Sequence, residues 1–297
     1  MYEVQGRLLW YPHRIAGAER EARDMPLDPS LLLFVPADRP ERFVKALTSG
    51  GTGAILDLED AVAPGRKAFA REQVRAFLDA HDDLTGVAVR INPPNTPDGR
   101  SDLAILAGAR RIGAVVVPKV GDVRDCARVS DAAGDVPQIV IIESARGVAH
   151  CETIAEAPHV LALAFGPYDL AAELGGTSDA DVMDPHRARM LVAARAAQRW
   201  AIDGPSREFG DASIPARDAE RARRMVYDGK LLIHPAQLAP VRAAFTPSPE
   251  DVAYARRVVE AAQRSNPAVL DGTMIDPPIV TAAERILSRA GVSTMSS

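Results

Sequence analysis

The segment IVIIESARGVAHCETIAEAPHVLALAFGP, residues 139–167, carries the reading that decides the fold. An unbroken apolar run ends in Glu143, and a stretch long enough for one crossover helix follows. A second apolar run then ends at Gly166-Pro167, just ahead of Tyr168 and Asp169. Apolar runs of roughly four to eight residues without polar alternation mark strands buried on both faces, as in a parallel sheet. The unit recurs on either side. LLLFVP from Leu31, AILDLED from Ala54, VAVRIN from Val87 and AVVVPK from Ala114 come before it; RWAIDG from Arg199 and LLIHP from Leu231 come after. Eight strand-then-helix units predict an α/β chain folded as a (β/α)8 TIM barrel, with its active site at the C-terminal ends of the strands. Those ends carry Glu59, Asp60, Arg90, Lys119, Glu143, Asp169, Asp203 and His234. One barrel mouth is therefore expected to gather five carboxylates, two cations and a histidine.

The chain's 297 residues suffice for one such barrel of about 250 residues and an appendage. Its 47% hydrophobic content supplies a core, and a formal net charge of −5 argues against a nucleic-acid surface. A small phosphorylated ligand needs only a local basic patch and stays open. Cys126 and Cys151 form neither a CxxC nor a zinc spacing, which fits a reducing cytoplasm. No apolar run approaches the roughly 18 residues of a membrane span. The first thirty residues mix Arg7, Arg14 and Arg20 with Glu3, Glu19 and Asp24 and lack a signal-peptide core. The expectation is a soluble cytoplasmic protein with no membrane or nucleic-acid partner.

Residues 1–30 read as an N-terminal extension, 31–245 as the barrel, and 246–297 as a C-terminal helical arm or lid. Asp38-Arg39-Pro40-Glu41 opens the first helix, with proline in its first turn. Helices are predicted over 67–78, 187–200 and 218–227. Ser248 reads as the N-cap of a helix over 249–264. An extended piece, VLDGTMIDPP, and a final helix around 280–290 follow.

Glu143 and Asp169 end neighbouring strands, which lie about 4.8 Å apart, so their carboxylates can converge on one ion. Two protein oxygens completed by water and substrate oxygens suit Mg²⁺, with Mn²⁺ as the substitute. The bland reading is that each caps the helix after it. Arg90 can clamp a carboxylate or neutralise a developing enolate, or simply pair with Glu59 or Asp60. Lys119 reads as an ion-pair partner rather than a Schiff-base lysine, and His234 as a structural hydrogen-bonder before a general base. The turn Gly166-Pro167-Tyr168 offers backbone N–H groups to a substrate carboxylate. Arg39, Arg42, Lys45, Arg66 and Lys67 flank the first two strand-to-helix turns, where a phosphate can sit.

LFVPADRPERF, ILDLEDAV, VRIN, VPKV, IIESARGV, AFGPYDLA, AIDG, DGKLLIHPAQ and GTMID, in this order, resemble the citrate lyase β-subunit-like group of the HpcH/HpaI aldolase family. The likeness runs from about Leu31 to Leu287. It implies a TIM barrel assembled as a homotrimer or a hexamer of trimers. It also implies Mg²⁺-dependent cleavage or formation of a carbon–carbon bond in a 3-hydroxyacyl-CoA, giving a 2-oxo acid and an acyl-CoA. On that resemblance Glu143 and Asp169 are the metal ligands and Arg90 meets the substrate. Glu59 and Asp60 hold metal-bound water and the arginine. Asp276 reaches a neighbouring subunit's mouth for proton transfer, and Arg39 and Lys45 contact coenzyme A. Two features depart from the family: Ala37 stands where glycine is common, and Pro205–Phe209 lacks the usual tyrosine-and-aspartate pattern. Three rivals stay open: a thioesterase using the same metal site, a class II pyruvate aldolase without CoA, and a subunit of a larger lyase complex. The pyruvate aldolase would need a histidine after the second strand, where this chain has Glu59-Asp60-Ala61.

Overall fold

Eight strands pair in parallel and in chain order: β1 (Leu32–Pro36), β2 (Gly53–Asp57), β3 (Leu84–Arg90), β4 (Ile112–Val117), β5 (Gln138–Ile142), β6 (Val160–Phe165), β7 (Trp200–Asp203) and β8 (Gly229–Lys230). This computed structural model describes residues 27–108, 112–265 and 267–292. Up to residue 26, the extension read from the sequence lies outside the described residues. Every residue of β2, β4, β5 and β7 is buried, as the apolar runs require. The helices in between are α1 (Phe43–Leu47), α2 (Lys67–Ala80), α3 (Pro97–Leu106), α4 (Val123–Ala133), α5 (Ala145–Ala149), α6 (Cys151–Ala155), α7 (Pro167–Leu174), α8 (Ala180–Ala196) and α9 (Ser213–Arg224). After β8 come α10 (Leu238–Phe245), α11 (Pro249–Arg264) and α12 (Pro277–Arg289).

The seam between β8 and β1 closes the barrel. Lys230 N donates to Ser30 O at 2.8 Å, Phe34 N to Leu232 O at 2.8 Å, and Leu232 N to Leu32 O at 3.0 Å. The last strand was expected over LLIHP, yet its regular pairing with β7 is at Gly229–Lys230, and Leu232 bridges to Leu33. Glycine explains the shift. A Cβ on Gly229 would stand 2.0 Å from Ser30 O, so only glycine lets the two backbones approach here.

Helix ends follow local chemistry. Ser144 caps α5 by accepting from Gly147 N, and Ser248 caps α11 in a reciprocal box with Asp251. The helix expected over 187–200 begins earlier, at Ala180, and contains Pro185. The one expected over 218–227 begins at Ser213.

A second compact unit takes in the chain from Ala243 onward. Ala255 and Val258 of α11 meet Ala283 and Leu287 of α12 and Ala268 and Ile275 of a two-stranded hairpin. The expected extended piece is that hairpin: β9 (Ala268–Leu270) and β10 (Thr273–Ile275), antiparallel, with Met274 opposite Val269. Asp271 and Gly272 both have positive φ, 50° and 79°, as an Asp-Gly hairpin turn demands. No helix among the described residues is long and apolar enough to cross a membrane.

Because the seam relies on Gly229, Gly229→Ala is expected to cost about 3 kcal/mol through overpacking. Urea denaturation measures it, and a variant as stable as the wild type would show that the seam can relax.

Candidate active site

The mouth is organised by residues of β2 and β3 that stand opposite each other in register, Asp57 and Arg90. Side chains opposite one another in a pleated pair point to the same face. Arg90 uses that geometry to fork onto Asp57, Nε to Oδ1 at 2.7 Å and Nη2 to Oδ2 at 2.6 Å. Asp57 also accepts from Glu59 N at 2.9 Å, tying the following residues back to the strand. The third nitrogen of Arg90, Nη1, lies 3.0 Å from Glu59 Oε2. Phe34 of β1 underlies the guanidinium, its ring centroid 4.6 Å from Cζ. Burial opposes the Arg90 charge, yet Asp57 and Glu59 outweigh it and keep the guanidinium charged.

Glu59 and Asp60 part ways. Glu59 is buried, while Asp60 is 59% exposed. Neither Glu59 oxygen makes a hydrogen bond of good geometry, and both instead meet cations, Arg90 and Lys119, the latter with Nζ 2.8 Å from Oε1. Burial first, against the pull of Arg90 and Lys119, raises the Glu59 pKa above its ordinary value. Below it, Lys67 Nζ donates to Leu58 O, Glu59 O and Asn92 Oδ1. Lys67 is thereby spent on holding this loop, which removes it from the phosphate cations expected from the sequence.

Glu143 follows β5 and Gly166 follows β6, side by side on paired strands. A Cβ on Gly166 would come within 2.3 Å of Glu143 Cβ and 2.7 Å of its Oε2. The glycine therefore makes room for the carboxylate. Glu143 is 5% exposed, and Oε1 accepts from Lys119 N at 2.7 Å. Lys119 reaches this position with φ of +53°, a left-handed backbone unusual for lysine that aims its N–H at Glu143. Burial, then the charges of Glu59 and Asp169, push the Glu143 pKa up to about 8. Helix capping is not its role, since Ser144 caps α5. Asp169 sits in the first turn of α7, 45% exposed, with Oδ1 4.0 Å from Lys119 Nζ. Burial works against the Lys119 ammonium, but Glu59, Asp60 and Asp169 hold its pKa above the ordinary lysine value. This is ion pairing, as the sequence suggested, and it leaves no neutral amine for a Schiff base.

The donor set fits a hard divalent cation. Glu143 and Asp169 supply two carboxylates around a point already rich in negative charge, and Glu59 has unfilled acceptors beside them. Among the described residues no three His, Cys, Asp or Glu side chains gather as a metal cage. Mg²⁺ does not need one, because it keeps several waters.

Other candidates lie elsewhere. Asp203, expected in the mouth, is fully buried and turned to the helices, where Arg187 Nε at 2.9 Å and Lys230 Nζ at 2.6 Å neutralise it. His234 accepts from Ala236 N and stacks on Phe209 at 4.4 Å, a structural role. The 205–209 loop is anchored by Gln237 Nε2, which donates to Ser206 O and Glu208 O, and by Arg207 over the Tyr168 ring. Ala37 is buried and donates to Asp57 O. Arg39 is exposed, and Arg66 is held by Asp38 at 2.9 Å. Lys45, in the last turn of α1, is exposed. Asp276 belongs to the second unit, exposed, and caps α12 through Ile279 N at 3.2 Å. Asp57 and Lys230 escaped the sequence reading. The two-residue spacing of Asp57, the last residue of β2, and Glu59 just beyond it is the signal that puts both toward Arg90.

A parallel eight-stranded barrel with two carboxylates, a clamped arginine and a buried glutamate at its C-terminal mouth defines a metal-assisted barrel enzyme. The chain belongs to the HpcH/HpaI aldolase/citrate lyase family, whose model matches residues 30–235. It is 38% identical over 271 residues to the citrate lyase subunit beta-like protein of Mycobacterium tuberculosis, covering 88% of this chain and 96% of that one. It is 33% identical over 267 residues to the (3S)-malyl-CoA thioesterase of Cereibacter sphaeroides, covering 87% and 93%. The crystal structure of CitE from Mycobacterium tuberculosis in complex with magnesium, acetoacetate and coenzyme A superposes with a TM-score of 0.79 at 36% identity, covering 88% of this chain and 98% of that one.

Asp57→Asn would leave Arg90 and Glu59 buried without the fork that orients them. The expected cost is about 3 kcal/mol of stability, read by urea denaturation; a change below a few tenths would remove Asp57 from the foundation of the mouth. For Glu143, the ordinary pKa of 4.5 rises to about 8 in the folded chain. Between those values the metal-free folded state keeps a proton that the unfolded state has released, so stability falls as pH rises through the window. Glu143→Gln removes that contribution. The difference in stability between wild type and variant, followed in EDTA from about pH 4.5 to about pH 8, should decline with pH, and a flat difference would refute the raised pKa.

Proposed function

We propose that this protein is a Mg²⁺-dependent carbon–carbon lyase that cleaves or forms a 3-hydroxyacyl-CoA, such as citramalyl-, malyl- or citryl-CoA, yielding a 2-oxo acid and an acyl-CoA. The observation that carries this reading is the convergence of Glu143 and Asp169 beside the Asp57-clamped Arg90. The similarity to CitE bound to magnesium, acetoacetate and coenzyme A supports it.

Glu143 and Asp169 would hold the ion. When bound, Mg²⁺ supplies Lewis-acid polarisation of a substrate oxygen. Glu59, its two oxygens short of hydrogen bonds, is placed to orient a water at the mouth, with Asp60 beside Lys119 at the rim. Arg90 cannot swing, because all three of its nitrogens are engaged, so its contribution is a fixed positive charge facing the developing enolate. Gly166 N donates to Ile142 O at 2.9 Å and Pro167 has no N–H, so the backbone N–H of Tyr168, at the start of α7, is the group offered to the substrate carboxylate. Arg39 and Lys45, exposed beside the first strand-to-helix turn, are the cations offered to the CoA phosphates. Asp276 takes the hydroxyl proton in the cleavage direction, delivered from a neighbouring subunit of a cytoplasmic homotrimer or hexamer. The exposed Val269 and Met274, paired on the β9–β10 hairpin, give that second unit an apolar face for such assembly.

A thioesterase is the second reading, favoured by the 33% identity to the (3S)-malyl-CoA thioesterase. Hydrolysis would use the same carboxylates, with the water oriented at Glu59 attacking the thioester.

Product analysis with citramalyl-, malyl- and citryl-CoA, in Mg²⁺ and in EDTA, separates these readings. Metal-dependent release of a 2-oxo acid and acetyl-CoA is the expected result; free CoA with an intact hydroxy acid would make the thioesterase correct. Glu143→Gln and Asp169→Asn should abolish turnover, and full activity in either would end the metal assignment. Asp276→Ala should retain metal binding while losing about 10²–10⁴ in turnover, as for a general base.

A further inference from the structure

A cavity of about 370 Å³ lies on the far side of α7 from the mouth, between α8, α9 and the barrel wall. Tyr168 lines it, whereas the next residue, Asp169, faces Lys119, so α7 separates the cavity from the metal ligands. Its volume is in the range of small-molecule sites. Four cations line it: Arg187 from α8, Arg217 and Arg221 from α9, and Lys230 from β8. Only two carboxylates do so, Asp179 and Asp218.

The carboxylates near these cations are already committed. Asp203 is shared by Arg187 and Lys230, a pair of cations on one anion. Asp184 holds Arg187 Nη1 at 3.2 Å, and Asp218 Oδ2 accepts from Ser206 Oγ at 2.6 Å. Arg221 is left with distant contacts, 3.9 Å to Asp184 and 4.0 Å to Asp218, and its buried Nε makes no hydrogen bond among the described residues. Arg217 and Arg221 are four residues apart on one helix and both line the cavity, a pair of like charges that an anion bound beside them would relieve. Guanidinium groups converging on a cavity of this size match phosphate or carboxylate oxygens in bidentate geometry.

We propose that this cavity is a second ligand site, distinct from the metal-binding mouth, that takes a small polyanion bearing phosphate or carboxylate groups. Arg221 and Arg217 are its principal contacts; Arg187 and Lys230, paired with Asp203 and Asp184, form its floor.

The test uses the full-length protein in EDTA at constant ionic strength, titrated with inorganic phosphate and, separately, with citrate. Binding is followed by calorimetry and by the shift of the thermal midpoint, with chloride as the control anion. Saturable binding of one ion per chain is expected, weakened at least tenfold in Arg221→Gln and in the more exposed Arg217→Gln, and unchanged in Glu143→Gln. Saturation by phosphate alone or by citrate alone supports the site and names its anion class. No saturable binding of either ion overturns the proposal. So does binding that survives both arginine substitutions, or binding lost in Glu143→Gln, which would place the anion at the mouth. Arg217 is itself exposed on α9, so its variant tests the site even if Arg221→Gln destabilises the fold.

Discussion

A carboxylate pointing into the end of a parallel barrel is costly unless a cation meets it, and here the fork of Arg90 on Asp57 meets that demand. Two hydrogen bonds in one plane leave the guanidinium a single orientation. That orientation presents Nη1 to Glu59, while Asp57 also receives the backbone N–H of Glu59. The first layer of the mouth is thus built from strand register alone. Everything above it, the loop held by Lys67 and the rim bearing Asp60, inherits its position from this pair.

Over that layer the charge balance is deliberately uneven. Glu59, Glu143 and Asp169 approach one another around Lys119, whose ammonium meets Glu59 and Asp169 and whose backbone N–H meets Glu143, and burial keeps the proton affinity of Glu143 high. Such a cluster is poorly satisfied by protein alone, the kind of local cost that marks a functional site. The left-handed backbone of Lys119 belongs to the same cost. One residue delivers an N–H to Glu143 and an ammonium to Glu59, which an ordinary extended conformation would not bring to one place.

The barrel and the placing of Glu143 and Asp169 at its mouth are legible because both depend on local pattern. An apolar run that stops at an acidic residue needs no distant information: Glu143 stops one such run, and Asp169 stands two residues beyond the end of the next. Asp57 was harder. It lies inside the run ILDLED, where a buried aspartate makes sense only once Arg90 is known to stand beside it on the next strand. Lys230 was hidden for the same reason, since its partner Asp203 is on a neighbouring strand and its other neighbour, Arg187, comes from α8. The eighth strand was placed too late because the hydrophobic residues of LLIHP outweighed Gly229, whose value lies in contact with Ser30. The early start of α8 lies outside the Ala- and Arg-rich pattern that marks 187–200, in a stretch that carries Pro185 and the aspartates Asp181 and Asp184. Asp203 went astray because a strand end alone does not say whether a side chain turns to the mouth or to the helices.

The seam has a consequence for how the chain is made. Ser30, Leu32 and Phe34 leave the ribosome early, but their partners Lys230 and Leu232 emerge only near the end of the barrel sequence. Until then β1 presents an open edge, the kind of surface that recruits wrong partners during synthesis. Pairing across so long a stretch of chain is slow to form. Closure of the barrel therefore waits on a late zippering event at Gly229, after every other barrel strand has been made.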